Sequence, residues 1–190
     1  MINVNDIRDN ILSVPVWGAY LKHLEPNLNE MIEYVYDLKK NYPSHNRSNV
    51  NGHQTADDLH TIPVFKPLVD WLNLASNEIV EQFDKRHKYK VQVTSMWCNI
   101  NQKGSLNYAH VHSGDISGVF YLKVPYNSGN LVFVNPAQRS EAHRIRIENK
   151  AVNSEVLACL LFPSWLEHYV QPNQSDEDRI SISFNISEVR

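Results

Sequence analysis

The sequence predicts an α+β fold that is mainly β: a double-stranded β-helix, or jelly roll, with two N-terminal helices covering one face. Three observations predict it. Apolar residues recur at helical spacing only in the first half of the 190-residue chain. From Tyr89 onward the period is that of strands, and the strand-like runs follow one another without intervening helices, which implies antiparallel pairing. The last run alternates strictly, Ile180, Ile182, Phe184 and Ile186 against Arg179, Ser181, Ser183 and Asn185, so one face is apolar and the other polar. In a jelly roll such a polar face looks into a hydrophilic cavity.

Taken in order, residues 14–20 read as a short strand interrupted by Pro15. Asn27 with Glu30 has the pattern of a capping box ahead of Leu28, Met31, Ile32, Val35 and Leu38, which share one helical stripe. Residues 44–63 are rich in Asn, His, Asp and Ser and show no apolar period, so a long polar loop and candidate lid is expected there. His45, His53 and His60 with Asp57 and Asp58 fit no ligand template and read as exposed loop polarity. A second helix carries Leu68, Trp71, Leu72, Ala75, Ile79 and Phe83 on one stripe. Strands are expected at 91–100, 117–124, 130–134, 156–162 and 179–186, with turns at Asn127-Ser128-Gly129 and around Pro172-Asn173. Residues 136–153 read as a loop near the cavity mouth suited to substrate specificity, with 141–146 a solvated stretch inside it. The whole reads as one domain, residues 1–88 a helical support with the lid and 89–190 the jelly-roll core.

Composition excludes several classes. A net charge of -3, from 18 basic and 21 acidic residues, has no polycationic footprint for a nucleic-acid backbone. No apolar run approaches the length of a membrane span, and the start of the chain lacks the order of a signal peptide. Cys98 and Cys159 are far apart and outside any CxxC pattern, which fits reduced thiols and a cytoplasmic setting. Nothing in the composition opposes a homodimer.

The residues that carry chemistry lie in two separated segments. His110 and His112, spaced i, i+2 on a strand, point to one face, so both imidazoles can reach one metal. His168, within 162–172, can close the triangle. Three ligands on one side leave the other open, the facial arrangement of non-heme iron oxygenases. Asp115 is an alternative third ligand, but its spacing places it off the strand face of His110, where it would suit orienting an imidazole instead. Arg179 follows His168 by eleven residues, enough for a loop and a return strand, and its planar fork suits a dicarboxylate.

With these motifs in place, the C-terminal half resembles the 2-oxoglutarate- and Fe(II)-dependent oxygenases, and within them small oxygenases of marine bacteria and their phages. The resemblance runs through residues 97–101, Asn107-Tyr108-Ala109-His110-Val111-His112, residues 117–122, residues 128–133, Leu161-Phe162-Pro163-Ser164-Trp165-Leu166-Glu167-His168 and residues 179–185. Residues 52–59 also resemble the loop before the long helix in that group. The likeness implies that His110 is the first histidine of an HxD/E motif and His168 the distal one. It implies further that Arg179 and Ser181 hold the distal carboxylate of 2-oxoglutarate, that Tyr121 aims at the same carboxylate, and that Asn99 contacts cosubstrate or substrate. Fe(II), 2-oxoglutarate and O2 would then support hydroxylation of an unactivated C–H bond in a small molecule or peptide, with release of succinate and CO2. The setting would be the cytoplasm, of the host if a phage encodes the chain.

The departure is His112, where the wider family has Asp or Glu. A neutral imidazole in place of a carboxylate raises the charge of the metal centre by one unit and increases its demand for an anionic cosubstrate. A halogenase would carry a small residue at that position to admit halide, and here it holds a full imidazole. Two other readings stay open at this point. One is a non-catalytic, cupin-like module that binds metal or a small ligand. The other is a three-histidine dioxygenase without an oxo acid, which would have no use for Arg179-x-Ser181.

Overall fold

The computed structural model describes residues 14–83, 89–136 and 148–189. In chain order its elements are β1 (Trp17–Tyr20), α1 (Leu28–Asn41), β2 (Asn49–Val50), β3 (His53–Gln54), α2 (Lys66–Phe83), β4 (Lys90–Asn101), β5 (Leu106–His110), β6 (Ile116–Lys123), β7 (Leu131–Phe133), β8 (Lys150–Val152), β9 (Ala158–Pro163), β10 (His168–Val170) and β11 (Arg179–Val189). A six-stranded sheet in the order β1-β9-β6-β11-β4-β3 faces a five-stranded sheet in the order β2-β5-β10-β7-β8. Every strand pairing is antiparallel. This is the jelly roll with two helices that the period of the sequence predicts.

One side of the larger sheet carries the main apolar core. Ile180, Ile182, Phe184 and Ile186 of β11 pack there with Phe120 and Leu122 of β6 and with Met31, Val35, Leu68 and Leu72 of the helices. The opposite faces of the same strands point between the sheets. There Val119 and Tyr121 join Leu131, Phe133, Phe162 and Leu166 in a second, smaller cluster.

Strand β4 reaches both sides by changing parity along its length. Val91 and Val93 are buried against the helices, and so are Met96, Cys98 and Ile100. An odd pair and an even trio share a face because the register with β11 slips at Thr94: Asn185 pairs with Ser95 and Ile186 with Val93. This extra residue is a β-bulge. It turns Ser95, Trp97 and Asn99 toward the cavity between the sheets, which all three line.

Three local expectations need correction. The first strand begins at Trp17 rather than at Val14; Pro15 lacks the N–H that a ladder requires. Asn27 does not cap α1 with its side chain, because it closes a preceding 3₁₀ turn, Lys22–Asn27, and already has helical φ and ψ of -92° and -10°. The candidate lid is not a free loop. Its β2 pairs with β5 and its β3 with β4, while the Met96 N–H donates to the Asp57 carbonyl at 2.9 Å and the Thr55 N–H to the Cys98 carbonyl at 3.0 Å. Short strands with Asn and His lie below the reach of a periodicity argument, since two residues show no period. The first thirteen residues and the stretch 137–147, most of the expected specificity loop, lie outside the described residues.

Candidate metal centre

The strand order explains why two distant segments meet. β10 lies between β5 and β7, and its pairing sets His168 directly opposite His110. Their ring centroids are 4.5 Å apart. β5 ends at His110, so His112 does not share a regular strand with it as the i, i+2 argument assumed. It enters the site from the following turn, where its N–H donates to the Ser164 carbonyl at 2.9 Å. The convergence survives by a different route: the donor atoms of His110, His112 and His168 lie within 4.8 Å of one another. No other group of three potential metal ligands occurs among the described residues.

Hydrogen bonds determine which nitrogen each ring presents. His110 Nδ1 lies 2.6 Å from the Tyr108 carbonyl and His168 Nδ1 lies 2.9 Å from the Leu166 carbonyl. A carbonyl can only accept, so both Nδ1 atoms carry the proton and both Nε2 atoms offer a lone pair. His112 Nε2 faces His168 Nε2 at 3.2 Å. Burial holds His110 below the usual imidazole range and lowers His112 to about 3 and His168 to about 4. At neutral pH the three rings are therefore uncharged donors converging on one point. An ion with bonds of about 2.1 Å would draw them together by small shifts.

Asp115 is not part of this cluster. Its carboxylate accepts the Glu188 N–H at 2.9 Å, and its own N–H donates to the Ile186 carbonyl, tying the β5–β6 turn to the end of β11. The role of orienting an imidazole falls for His110 and His168 to main-chain carbonyls.

The triad opens into a cavity of about 690 Å³ that is also lined by Tyr121, Asn99, Arg179 and Ser181. Arg179 is only 2% exposed. Its Nη1 donates to the Gly129 carbonyl at 3.3 Å, its Nε has no partner, and no carboxylate pairs with it among the described residues. Burial lowers its pKa, opposed by Tyr121, whose buried ring stands close enough to act on it electrostatically. Asn99 donates from Nδ2 to Ser183 Oγ at 3.1 Å, leaving a buried, unpartnered Oδ1. A guanidinium buried to this degree without a counter-ion costs several kcal/mol unless an anion completes it. The guanidinium and the three imidazoles line the same cavity.

Several lining residues escape sequence reasoning. Trp97 stacks on His112 with centroids 5.5 Å apart; its alternation with Ser95 and Asn99 on one strand was the available signal. Ser48, Arg47 and Asp57 reach the cavity from the β2–β3 segment, and nothing in their spacing announces it.

Comparison with known proteins agrees with this geometry. Residues 95–185 match the family model described as "Putative 2OG-Fe(II) oxygenase". No curated protein matches the chain. Among solved structures, the chain is similar to the non-heme alpha ketoglutarate dependent epimerase SnoN from nogalamycin biosynthesis, at 14% identity and a TM-score of 0.68, covering 92% of this chain and 78% of that one. It is similar also to a Pseudomonas putida prolyl-4-hydroxylase, at 13% identity and TM-score 0.66, over 91% and 93% of the two chains. A third is HygX from Streptomyces hygroscopicus, solved with nickel, 2-oxoglutarate and hygromycin B bound, at 11% identity and TM-score 0.65, over 92% and 83%. At these identities the structures speak for the fold, and the family match covers the segment that holds all three histidines and Arg179. By that match, residues 95–185 resemble the 2-oxoglutarate- and Fe(II)-dependent oxygenases, and the jelly roll of this chain is similar in fold to solved structures of that kind.

Proposed function

We propose that the chain is a dioxygenase in which Fe(II) is held by His110, His112 and His168 and 2-oxoglutarate by Arg179, Ser181 and Tyr121, acting on a C–H bond of a small molecule or peptide. The single observation that carries this reading is the buried Arg179, without an acidic partner, in the same cavity as three neutral, inward-facing imidazoles. Bound iron and oxo acid would supply the oxidising power, one oxygen atom of O2 leaving in succinate and the other going to the substrate, with CO2 released.

The protein's own contribution is geometry and charge. Arg179 offers a fork that meets a carboxylate through two parallel bonds, and Ser181, two residues on along the same strand face, adds a hydroxyl. Three uncharged imidazoles leave the full charge of a divalent ion to be balanced by the dianion. Trp97, packed on His112, shields that ligand from water on the cavity side. The substrate would occupy the outer part, between Trp97 and Asp57 on one wall and Tyr108 and Arg47 on the other. Hydroxylation is the simplest outcome, while similar folds include an epimerase and a carbocyclase.

Anaerobic titration of the Fe(II) protein with 2-oxoglutarate tests the proposal. A charge-transfer band from the chelated oxo acid should develop at millimolar concentration or below. Arg179→Ala should raise the dissociation constant about 10- to 100-fold, the equivalent of one charge-assisted hydrogen bond or two, with metal content unchanged. Arg179→Lys should recover only part of that, since an ammonium lacks the fork. A wild-type protein with no such band would refute the oxo-acid reading in favour of a three-histidine dioxygenase or a binding module.

A further inference from the structure

Ser48 stands outside the family-matched segment yet touches the metal centre. Its Oγ lies 3.4 Å from His110 Nε2, the nitrogen that carries the lone pair. Hydrogen-bond accounting then determines where the hydroxyl proton points. Asn107 Nδ2 donates to Ser48 Oγ at 3.1 Å, and an amide nitrogen can only donate, so the Ser48 proton is directed elsewhere. Asn107 is held in that orientation by Asn101, whose Nδ2 donates to Asn107 Oδ1 at 3.2 Å. Asn101 and Asn107 are both buried. Among the described residues, the acceptor that faces the Ser48 hydroxyl is His110 Nε2.

That acceptor is the lone pair a metal would take. Once an ion binds there, the hydroxyl loses its partner while Asn107 still occupies one of its own lone pairs. We infer that Ser48 donates a hydrogen bond to the exogenous anionic or water ligand that sits on the ion beside His110, and that the Asn101–Asn107 pair keeps its proton aimed at that position. The inference rests on the iron and oxo-acid reading above for the identity of the natural ligand, a carboxylate. Its physical content is more general: a neutral donor beside a site that lacks a carboxylate of its own. Backbone placement makes the device firm. The Ser48 carbonyl accepts the Tyr108 N–H at 2.9 Å, and the next two residues form β2 against β5. The segment that read as a lid is in this sense a wall that brings a donor to the ion.

The test uses the Co(II)-loaded chain with azide as the exogenous anion, followed through the visible cobalt bands. Ser48→Ala should bind one Co(II) per chain as wild type does but raise the azide dissociation constant about ten-fold, the size of one hydrogen bond to a charged group. Thr and Val at this position have the same shape and differ only in the hydroxyl, so they control for packing even if the alanine variant folds poorly. Ser48→Thr should keep the wild-type constant and Ser48→Val should reproduce the loss. Azide constants for Ser48→Ala and Ser48→Val within about two-fold of wild type would overturn the inference, a difference too small for a hydrogen bond of this kind. Failure of the oxygenase reading would show elsewhere, as the absence of the 2-oxoglutarate band in the wild-type Fe(II) protein, and would leave the azide result to decide Ser48.

Discussion

At the scale of single residues, the site is defined by which polar groups are partnered and which are left waiting. His110 and His168 are each tied at Nδ1 to a main-chain carbonyl and present Nε2 to the site, facing each other across paired strands. Alanine at either position should abolish stoichiometric uptake of iron or cobalt, measured by elemental analysis after desalting; full retention by both variants would remove the metal centre. Asp115 offers the matching control. Its carboxylate is engaged by the Glu188 N–H, so Asp115→Asn should leave metal content unchanged. Arg179 makes a different prediction. A buried charge without a counter-ion destabilises the ligand-free fold, so Arg179→Met should unfold in urea at the same concentration as ligand-free wild type or a higher one, even as it loses the oxo acid. Marked destabilisation of the ligand-free variant would mean that the guanidinium serves the fold and not a ligand.

Elements contribute through backbone constraints that side-chain patterns do not display. Gly118 sits in β6 between β9 and β11, where an added Cβ would collide with the Leu160 carbonyl and the Phe184 ring. Neither neighbour is free to move, the first being main chain in a paired strand and the second a core ring. Gly118→Ala should therefore cost about 1–3 kcal/mol of stability, read from the shift of the urea midpoint. Helix α2 is fastened to the sheet by amides as well as by its apolar stripe. Asn77 donates to the Val91 carbonyl at 2.8 Å and accepts the Val91 N–H at 3.1 Å, while Asn73 accepts the Val93 N–H at 2.8 Å. These side chains stand in for a neighbouring strand along the early part of β4. Asn77→Ala, which strands both main-chain groups, should cost about 1–3 kcal/mol.

The whole molecule separates two tasks between the faces of one sheet. The helix side holds the large apolar core, and the other side, closed by the shorter strands of the second sheet, holds the cavity with its triad and arginine. Because the core does not include the histidines, the fold should persist without metal, and ligands should add to stability by mass action. With iron bound, 2-oxoglutarate at about one hundred times its dissociation constant should contribute about 2.7 kcal/mol. For a domain of this size that corresponds to a rise in melting temperature of about 5–10 °C. Arg179→Ala should lose about half of this rise or more at the same concentration. No helix among the described residues is long and apolar enough to cross a membrane.

The sequence by itself determined the fold class, because helical and strand periods are local and each half of the chain displays one of them. It also pointed to His110, His112, His168 and the pair Arg179 and Ser181, which the structure brings to one cavity. The alternation of β11 even indicated that Arg179 and Ser181 share a polar face, which the structure turns to the cavity. What tertiary structure alone decided is everything that depends on pairing between distant segments. The bulge at Thr94, the placement of His168 opposite His110 and the arrival of His112 from a turn follow from register. Residues 44–63 look unstructured in sequence because their order comes from β4 and β5, far along the chain, and not from any period of their own. Ser48 belongs with them: a serine in a polar stretch is unremarkable until a neighbouring strand sets its hydroxyl beside an imidazole, since hydrogen-bond direction is a property of partners in space.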